Sequence, residues 1–114
     1  MSIEHRQYPR FATRLSVEIH SDDSEAPLRC STSDISLGGC YIESMFPFPV
    51  GTVLELKLHL DETLLVMGKV VTCYPQVGNG IQFTKILPED HALLSKFLDA
   101  VAKQEPSESG PEVT

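Results

Sequence analysis

The stretch TVLELKLHLDETLLVMGKVVTCY, residues 52–74, decides the fold class of this chain. Over residues 52–60 leucines alternate with polar and charged residues, which is the period of a half-buried β-strand. The polar triplet DET at 61–63 then turns the chain. A longer strand follows over 64–74, and Gly68 inside it predicts a bulge or bend. The two segments indicate neighbouring strands joined by a short turn.

Four further segments extend the same pattern to both sides of this stretch. They are RLSVEIH (14–20), LRCSTSDIS (28–36), CYIES (40–44) and GIQFTKI (80–86). Polar, proline-rich or glycine-rich segments separate them, and in PQVGNG (75–80) Asn79 and Gly80 are expected to supply the positive φ angles of a turn. About six short strands with short turns are typical of a small antiparallel barrel or sandwich.

The period changes after the last strand. Pro88 suits the first turn of a helix, and an apolar stripe of five residues follows at helical spacing: Leu93, Leu94, Phe97, Leu98 and Val101. Core packing against the strands is the favoured role of this stripe, and partner binding is the alternative. The sequence thus predicts a flexible arm over 1–10, a folded unit over 11–103 and a disordered tail over 104–114.

Composition excludes several classes of function. The formal net charge is −7, yet three of the four arginines lie in the first fourteen residues. A net-acidic body argues against a nucleic-acid-binding protein, and the absence of tryptophan argues against a base-stacking barrel. No apolar run approaches the roughly 20 residues that span a bilayer, so no membrane insertion is expected. Without an apolar signal segment, a cytoplasmic location is expected.

Catalytic and metal-binding patterns are not expected in this chain. The three cysteines and four histidines are scattered without ligand spacing, and the cysteines are interpreted as small buried side chains in a reducing compartment. The sequence lacks the common nucleophile, zinc-protease and nucleotide-loop motifs. We therefore predict that the protein is not an enzyme and needs no cofactor.

Two short motifs have residue types that suit a guanine nucleotide. RQYPR (6–10) places two arginines four residues apart, and SDISLGGCYIES (33–44) contains the spacing DxSxxG. A carboxylate can accept hydrogen bonds from the N1–H and N2–H edge of guanine, whereas arginine matches its O6/N7 edge and neutralises phosphate. Glycines allow close approach of the backbone. Taken singly, each motif is more typical of a simpler structure: a solvated basic arm for RQYPR and an ordinary β-turn for DxSxxG.

Together the two motifs make the chain resemble the PilZ domain family of cyclic di-GMP receptors. The segment GNGIQF (78–83) is also similar to the final strand of many members. The resemblance implies a six-stranded antiparallel β-barrel with a C-terminal helix. It further implies seven ligand-binding residues: His5, Arg6, Arg10, Asp34, Ser36, Gly38 and Gly39. Many members carry arginine at the position of His5, so one bound nucleotide and an intercalated pair both stay open.

The implied function is that of a stand-alone receptor for cyclic di-GMP. Binding would clamp the arm against the barrel and present a new surface to an effector protein in motility, biofilm or polysaccharide output. Arg6 and Arg10 would contact guanine faces and phosphates, Asp34 a guanine edge, and Ser36 phosphate or backbone. The main alternative is a PilZ-like adaptor of pilus or flagellar machinery that acts through protein contacts without a nucleotide.

Overall fold

The computed structural model describes residues 8–21 and 26–109, with side chains described as far as residue 103. The elements are β1 (Ser16–Ser21), β2 (Leu28–Ile35), β3 (Gly39–Glu43), β4 (Val53–His59), β5 (Thr63–Tyr74), β6 (Gly78–Ile86) and α1 (Pro88–Ser109). The six strands and the C-terminal helix expected from the sequence are therefore confirmed.

The six strands close into one antiparallel barrel. Their order around it is β1-β2-β3-β6-β5-β4, and β1 returns to pair with β4. Because β3 pairs with β6, the start of β3 at Gly39 lies beside Gln82 in the middle of β6. Closure pairs the edge strands that an open sheet would leave exposed.

Alternation along the strands builds the barrel core. In β4 the three residues Leu54, Leu56 and Leu58 are fully buried, while the residues between them face outward. Leu15, Val17 and Ile19 before and along β1 are buried in the same way. Each strand therefore contributes one apolar face to a single interior, as the period of two requires.

Helix α1 completes this core. Leu94 and Leu98 are buried within it, and Leu93 and Phe97 pack against it. The helical backbone continues to Ser109, five residues beyond the expected start of the disordered tail at 104. Favourable helix formers at 102–105 allow the helix to extend past the apolar stripe that anchors it. No helix within the described residues is long and apolar enough to cross a membrane.

The irregularity expected at Gly68 and the turn expected at Asn79 and Gly80 have different outcomes. The register of the β5–β6 pair shifts between Met67 and Gly68, so the irregularity expected at Gly68 is confirmed. The turn expected at Asn79 and Gly80 is wrong, because both residues lie within β6. The positive φ angle of this hairpin is at Gln76, where φ is 65°.

Asn79 lies in the strand and not in a turn because its side-chain amide is buried and hydrogen-bonded. Asn79 is only 2% exposed, and its Oδ1 accepts a hydrogen bond of 2.8 Å from the backbone N–H of Phe48. Its Nδ2 donates to the carbonyl oxygens of Phe48, at 2.8 Å, and Thr72, at 3.1 Å. Three satisfied bonds hold Asn79 inside the sheet and fix the β3–β4 loop to the barrel, overriding the local turn preference of Asn-Gly.

Candidate functional site

A β-bulge in β2 orients Asp34 outward. The register of the β2–β3 pair shifts between Thr32 and Asp34. Thr32 and Ile35 are both fully buried although they are three residues apart, which regular alternation forbids. Ser33 is the extra residue of the bulge: it has no partner of its own on β3, and it shifts the alternation by one position. As a result Asp34 is displayed at the barrel surface, directly before the turn that leads into β3.

The segment that precedes β1 runs antiparallel along β2. Phe11 and Ile35 exchange two backbone hydrogen bonds, of 2.9 and 3.0 Å. Farther along, the buried hydroxyl of Thr32 donates to the carbonyl oxygen of Thr13 and accepts from the N–H of Leu15. These bonds fix residues 11–15 to the barrel, so the arm that precedes them joins the barrel at residue 11.

Arg10 and Asp34 meet where the arm leaves the barrel. Nη1 of Arg10 donates to Oδ1 of Asp34 at 2.5 Å. The Arg10 side chain is 39% exposed and that of Asp34 31%, so the pair remains open to a ligand on one side. The fold thus brings the second arginine of one motif into direct contact with the aspartate of the other, 24 residues away along the chain.

The hydroxyl of Ser36 stabilises the turn between β2 and β3. It accepts a hydrogen bond of 3.0 Å from the N–H of Gly38 and lies 3.4 Å from the carbonyl oxygen of Gly39. The backbone N–H of Ser36 also donates to that carbonyl at 2.8 Å. Ser36 is buried, so of the two contacts implied for it, phosphate or backbone, the structure places the backbone contact.

The two glycines of this turn serve different purposes. A Cβ atom on Gly39 would clash with the carbonyl oxygen of Ile81, because β3 and β6 approach closely at this point. A Cβ atom on Gly38 would instead lie 2.8 Å from Cδ2 of Tyr8, whose ring covers this glycine. Gly39 is therefore needed by the barrel itself, whereas Gly38 provides a flat surface on which a ring can lie.

Two side chains of β3 beside the site have altered acidity. Burial raises the pKa of the Cys40 thiol to about 12; the charge of Asp34 adds to this shift and that of Arg10 opposes it. Burial also raises the pKa of Tyr41, which pairs across the strands with Asp34, with a smaller contribution from Tyr74. Both groups are neutral at physiological pH, so among the described residues the charge of the site comes from Arg10 and Asp34.

The remaining residues of the expected site have different outcomes. His5 and Arg6 lie outside the described residues. Arg14, the third arginine of the N-terminal group, contacts Glu43 at 3.4 Å on the exposed surface and stands apart from the Arg10–Asp34 pair. Within the described part of the chain no group of three or more acidic, histidine or cysteine side chains is placed to hold a metal ion.

Tyr8 is the residue of this site that sequence reasoning missed. It lies inside the RxxxR motif, and its aromatic character beside a rigid proline was the available signal. Its placement on Gly38 depends on the path of the arm across the barrel, which the sequence alone does not give. Arg10, Asp34, Gly38 and Tyr8 together offer a cation, a carboxylate and a ring-sized surface, which suits an anionic ligand with a polar aromatic edge.

Solved structures with the same fold include the following three bacterial proteins. The Bacillus subtilis inhibitor of motility MotI/DgrA superposes with a TM-score of 0.75 and 19% identity, over 90% of this chain and 52% of that protein. The PilZ domain of Escherichia coli YcgR with c-di-GMP gives 0.68 and 13%, covering 91% and 96% of the two chains. PlzA of Borreliella burgdorferi in complex with c-di-GMP gives 0.61 and 20%, covering 81% and 41%.

These likenesses define the fold, and the sequence comparison defines the family. The chain spans about half the length of MotI. No curated protein matches the sequence. The family model described as PilZ domain matches residues 4–100, which include both motifs and all six strands. With its closed barrel and its paired arginine and aspartate, this chain belongs to the PilZ domain family.

Proposed function

We propose that this PilZ domain is a cyclic di-GMP receptor whose ligand-bound form regulates a partner protein. The observation that carries the proposal is the contact between Arg10 and Asp34. It unites the RxxxR and DxSxxG motifs at one surface position, with both side chains partly exposed. A cation and a carboxylate at one position suit a ligand that combines phosphates with the hydrogen-bonding edges of guanine.

Asp34 and Arg10 have complementary roles toward such a ligand. The carboxylate of Asp34 accepts from the N1–H and N2–H edge of one guanine, and this edge replaces or shares the present contact with Arg10. The guanidinium of Arg10 turns toward a phosphate or the O6/N7 edge, and Arg6 supplies a second cation. Each charge-assisted hydrogen bond contributes about 1.5–3 kcal/mol, so a few of them suffice for micromolar binding.

The turn of Ser36, Gly38 and Gly39 forms the base of the site. Ser36 keeps the turn in shape through its two backbone contacts, and Gly39 keeps β3 close to β6. Gly38 permits a flat group to approach the backbone, as the ring of Tyr8 does. In this role Ser36 positions the turn, and the ligand contacts are made by the residues around it.

The arm transmits binding to the partner. The Phe11–Ile35 bridge fixes the chain immediately after Arg10, so rearrangement of Arg10 acts on the residues before it. Ligand binding therefore reorganises the arm, and the reorganised arm on the barrel is the surface that the partner contacts. The energy of ordering comes from the new contacts with the nucleotide.

The structural neighbours support this proposal through the ligand and the process that their names give. Two of them, YcgR and PlzA, have been solved with c-di-GMP, and MotI is named as an inhibitor of motility. By analogy, the output of this chain lies in motility, biofilm formation or polysaccharide secretion in the bacterial cytoplasm. The partner acts downstream of a binding event, without catalysis by the PilZ domain itself.

The experiment that tests the proposal is calorimetric titration of the protein with cyclic di-GMP. We expect saturable micromolar binding by the wild type and loss of measurable binding in Arg10→Ala. Arg29→Ala is the matched control, because Arg29 is an exposed arginine of β2 outside both motifs. Cyclic di-AMP serves as the control ligand, because adenine lacks the N1–H and N2–H donors that Asp34 requires.

Two results would reject the proposal. Absence of binding by the folded wild type would favour the adaptor that acts through protein contacts alone. Equal weakening in the Arg10 and Arg29 variants would show that general positive charge, and not the paired motifs, accounts for the affinity. The titration also yields the number of nucleotides bound, on which His5 bears.

A further inference from the structure

The end of the barrel opposite the glycine turn carries a cluster of exposed apolar side chains. Strand β3 ends there, the β3–β4 loop (44–52) passes over it, and the hairpin between β5 and β6 lies beside it. Six large apolar residues of these segments are exposed: Met45, Phe46, Val50, Val53, Val71 and Val77. We refer to this surface as the apolar end.

Phe46 is held in its exposed position by hydrogen bonds on both sides. The N–H of Ser44 donates to the carbonyl oxygen of Val77 at 3.0 Å, and the Ser44 hydroxyl accepts from the N–H of Phe46 at 3.2 Å. Two residues later, Phe48 is bonded to the buried amide of Asn79. The Phe46 residue is nevertheless 87% exposed. Because its backbone is already fixed, little conformational entropy is lost when another surface covers this ring.

The other half of the apolar end is fixed in the same way. The N–H of Gly51 donates to the carbonyl oxygen of Val70 at 2.8 Å, which places the neighbouring residues Val50 and Val71 beside each other. Val53 follows at the start of β4. The exposed valines therefore continue the surface that the loop and the hairpin begin, and the loop connects the two halves.

No charged residue interrupts the segments that form the apolar end. Residues 44–54 and 70–84 contain no Asp, Glu, Lys or Arg, although these residue types make up 22% of the chain. Single exposed apolar residues are ordinary on a protein surface. An uncharged group of six, in adjoining segments, is instead typical of the centre of a protein–protein contact.

Charges of opposite sign flank the apolar end on its two sides. On the β3 side, Glu43 stands directly before the loop and contacts the exposed Arg14 at 3.4 Å. On the β5 side, Lys69 is exposed and pairs across the strands with Val53. Within the described part of the chain no ion pair involves Lys69. A carboxylate on one flank and an ammonium group on the other make the surface complementary to itself under two-fold symmetry.

We propose that the apolar end is the surface through which two copies of this chain form a two-fold symmetric dimer. Phe46 of each copy lies near the symmetry axis and packs on the apolar side chains of the second copy. The axis brings each flank of one copy to the opposite flank of the other, so Glu43 faces Lys69 twice.

The charge of the whole chain is compatible with this contact. Each copy has a formal net charge of −7, which opposes association. The Debye length at physiological ionic strength is about 8 Å, so charges outside the contact are largely screened from each other. At the contact itself the centre is uncharged and the flanks attract, which makes this surface suited to a second copy of an acidic chain.

The dimer leaves the Arg10–Asp34 pair accessible. Gly39, at the start of β3, belongs to the glycine turn, whereas Glu43, at the other end of the strand, borders the apolar end. Dimer formation and nucleotide binding are therefore separate properties of the chain. The inference goes beyond the proposed function and stands whether or not cyclic di-GMP binds.

Sedimentation equilibrium of the full chain is the first test, with Phe46→Ser as the variant and Leu87→Ser as the matched control. Leu87 is also exposed, at 50%, but lies between β6 and α1 at the opposite end of the barrel. We expect dimers in the wild type and in Leu87→Ser. In Phe46→Ser the dissociation constant should rise by more than about tenfold, because a central aromatic anchor is lost. Circular dichroism checks that all three proteins are folded.

Charge reversal tests the symmetric arrangement. Glu43→Lys and Lys69→Glu should each weaken the dimer, because each substitution places like charges opposite one another. The double variant should regain most of the lost affinity, because it exchanges the two charges and restores the pairing. A double variant weaker than both single variants would show that the two flanks do not meet and would overturn the proposed dimer.

Two further results would overturn the inference. Equal dimerisation of the wild type and Phe46→Ser would place the contact elsewhere on the molecule. A wild type that is monomeric at every concentration would show that no second copy covers the apolar end, and flotation with phosphatidylglycerol–phosphatidylethanolamine vesicles would then assign it to a membrane surface. Calorimetric titration with cyclic di-GMP keeps the two proposals apart, since Phe46→Ser should bind the nucleotide as the wild type does.

Discussion

Single atoms decide what each glycine of the DxSxxG turn can tolerate. Behind Gly39 lies a backbone carbonyl of β6, which cannot move without breaking the barrel pairing. In front of Gly38 lies the side chain of Tyr8, which belongs to the arm and can swing away. The same motif therefore contains one position that the barrel requires and one that faces the arm.

The first prediction separates these two roles. Gly39→Ala should destabilise the folded protein by about 1–3 kcal/mol, because the added methyl group overpacks a contact with rigid backbone. Gly38→Ala should leave the free energy of unfolding nearly unchanged and displace Tyr8 instead. Urea denaturation of both variants measures the difference. Equal stability losses would show that both glycines face rigid neighbours.

A second prediction at the same scale concerns Cys40. The native thiol, with its pKa raised to about 12, remains neutral when an unfolded thiol, near 9, ionises. The unfolded state then binds fewer protons than the native state, so stability should fall as pH rises from about 9 to 12. Cys40→Ala should lack this part of the pH dependence, as measured by urea denaturation across that range.

Thiol labelling provides an independent check on Cys40. In the native protein at pH 8, Cys30 and Cys73 should react with a maleimide, because both are partly exposed. Cys40 should react only after unfolding. Labelling of three thiols in the native state would show that Cys40 is more accessible than its position in β3 indicates.

Elements of the fold position the site through irregularities. The bulge in β2 turns Asp34 outward, and the pairing of Phe11 with Ile35 ends the connecting segment beside it. Elsewhere, Asn79 in β6 fixes the β3–β4 loop at the end of β3 opposite Gly39. These contacts hold both ends of β3, the strand that the glycine turn begins.

Asn79→Ala is the prediction at this scale. It would leave the backbone N–H and carbonyl of Phe48 without their partners, and an unsatisfied buried polar group costs about 1–3 kcal/mol. We therefore expect a clear loss of stability by urea denaturation. Gln82→Ala, an exposed position in the same strand, is the control and should change stability little. Similar effects of both substitutions would contradict the role assigned to the amide.

The sequence predicts those elements whose structure depends on residues close together in the chain, and it does not predict those that depend on distant residues. Alternation predicts β4 and the apolar stripe of α1 because burial of one face is a local pattern. The bulge at Ser33 and the strand position of Asn79 depend on partners far along the chain, so local turn and strand preferences do not reveal them. Arg10 and Asp34 were predicted by resemblance, whereas their contact, and the position of Tyr8, required the fold.

The molecule as a whole has one core that strands and helix share. Leu94 of α1 is as fully buried as the leucines of β4, and both belong to the same apolar cluster. The helix therefore belongs to the folding unit of the barrel. The geometry of a site at the surface of such a unit depends on the stability of the entire domain. The arm is the part whose conformation we expect ligand binding to change.

Leu94→Ala tests whether the helix and the barrel share one core and unfold together. Truncation of a fully buried leucine should cost about 2–5 kcal/mol, and the loss should be seen equally in barrel and helix because they unfold together. Circular dichroism and tyrosine fluorescence during urea denaturation report the two parts. Lys96→Ala, on the exposed face of the helix, is the control. Separate transitions for helix and barrel would contradict a shared core.

The central claim is that the arm and the glycine turn bind cyclic di-GMP together, and amide hydrogen exchange tests it most directly. Adding cyclic di-GMP should slow exchange in peptides covering 8–12 and 33–40 at the same ligand concentration, and leave residues 53–59 of β4 unchanged. Protection of only one of the two segments, or of neither under saturating ligand, would contradict the account.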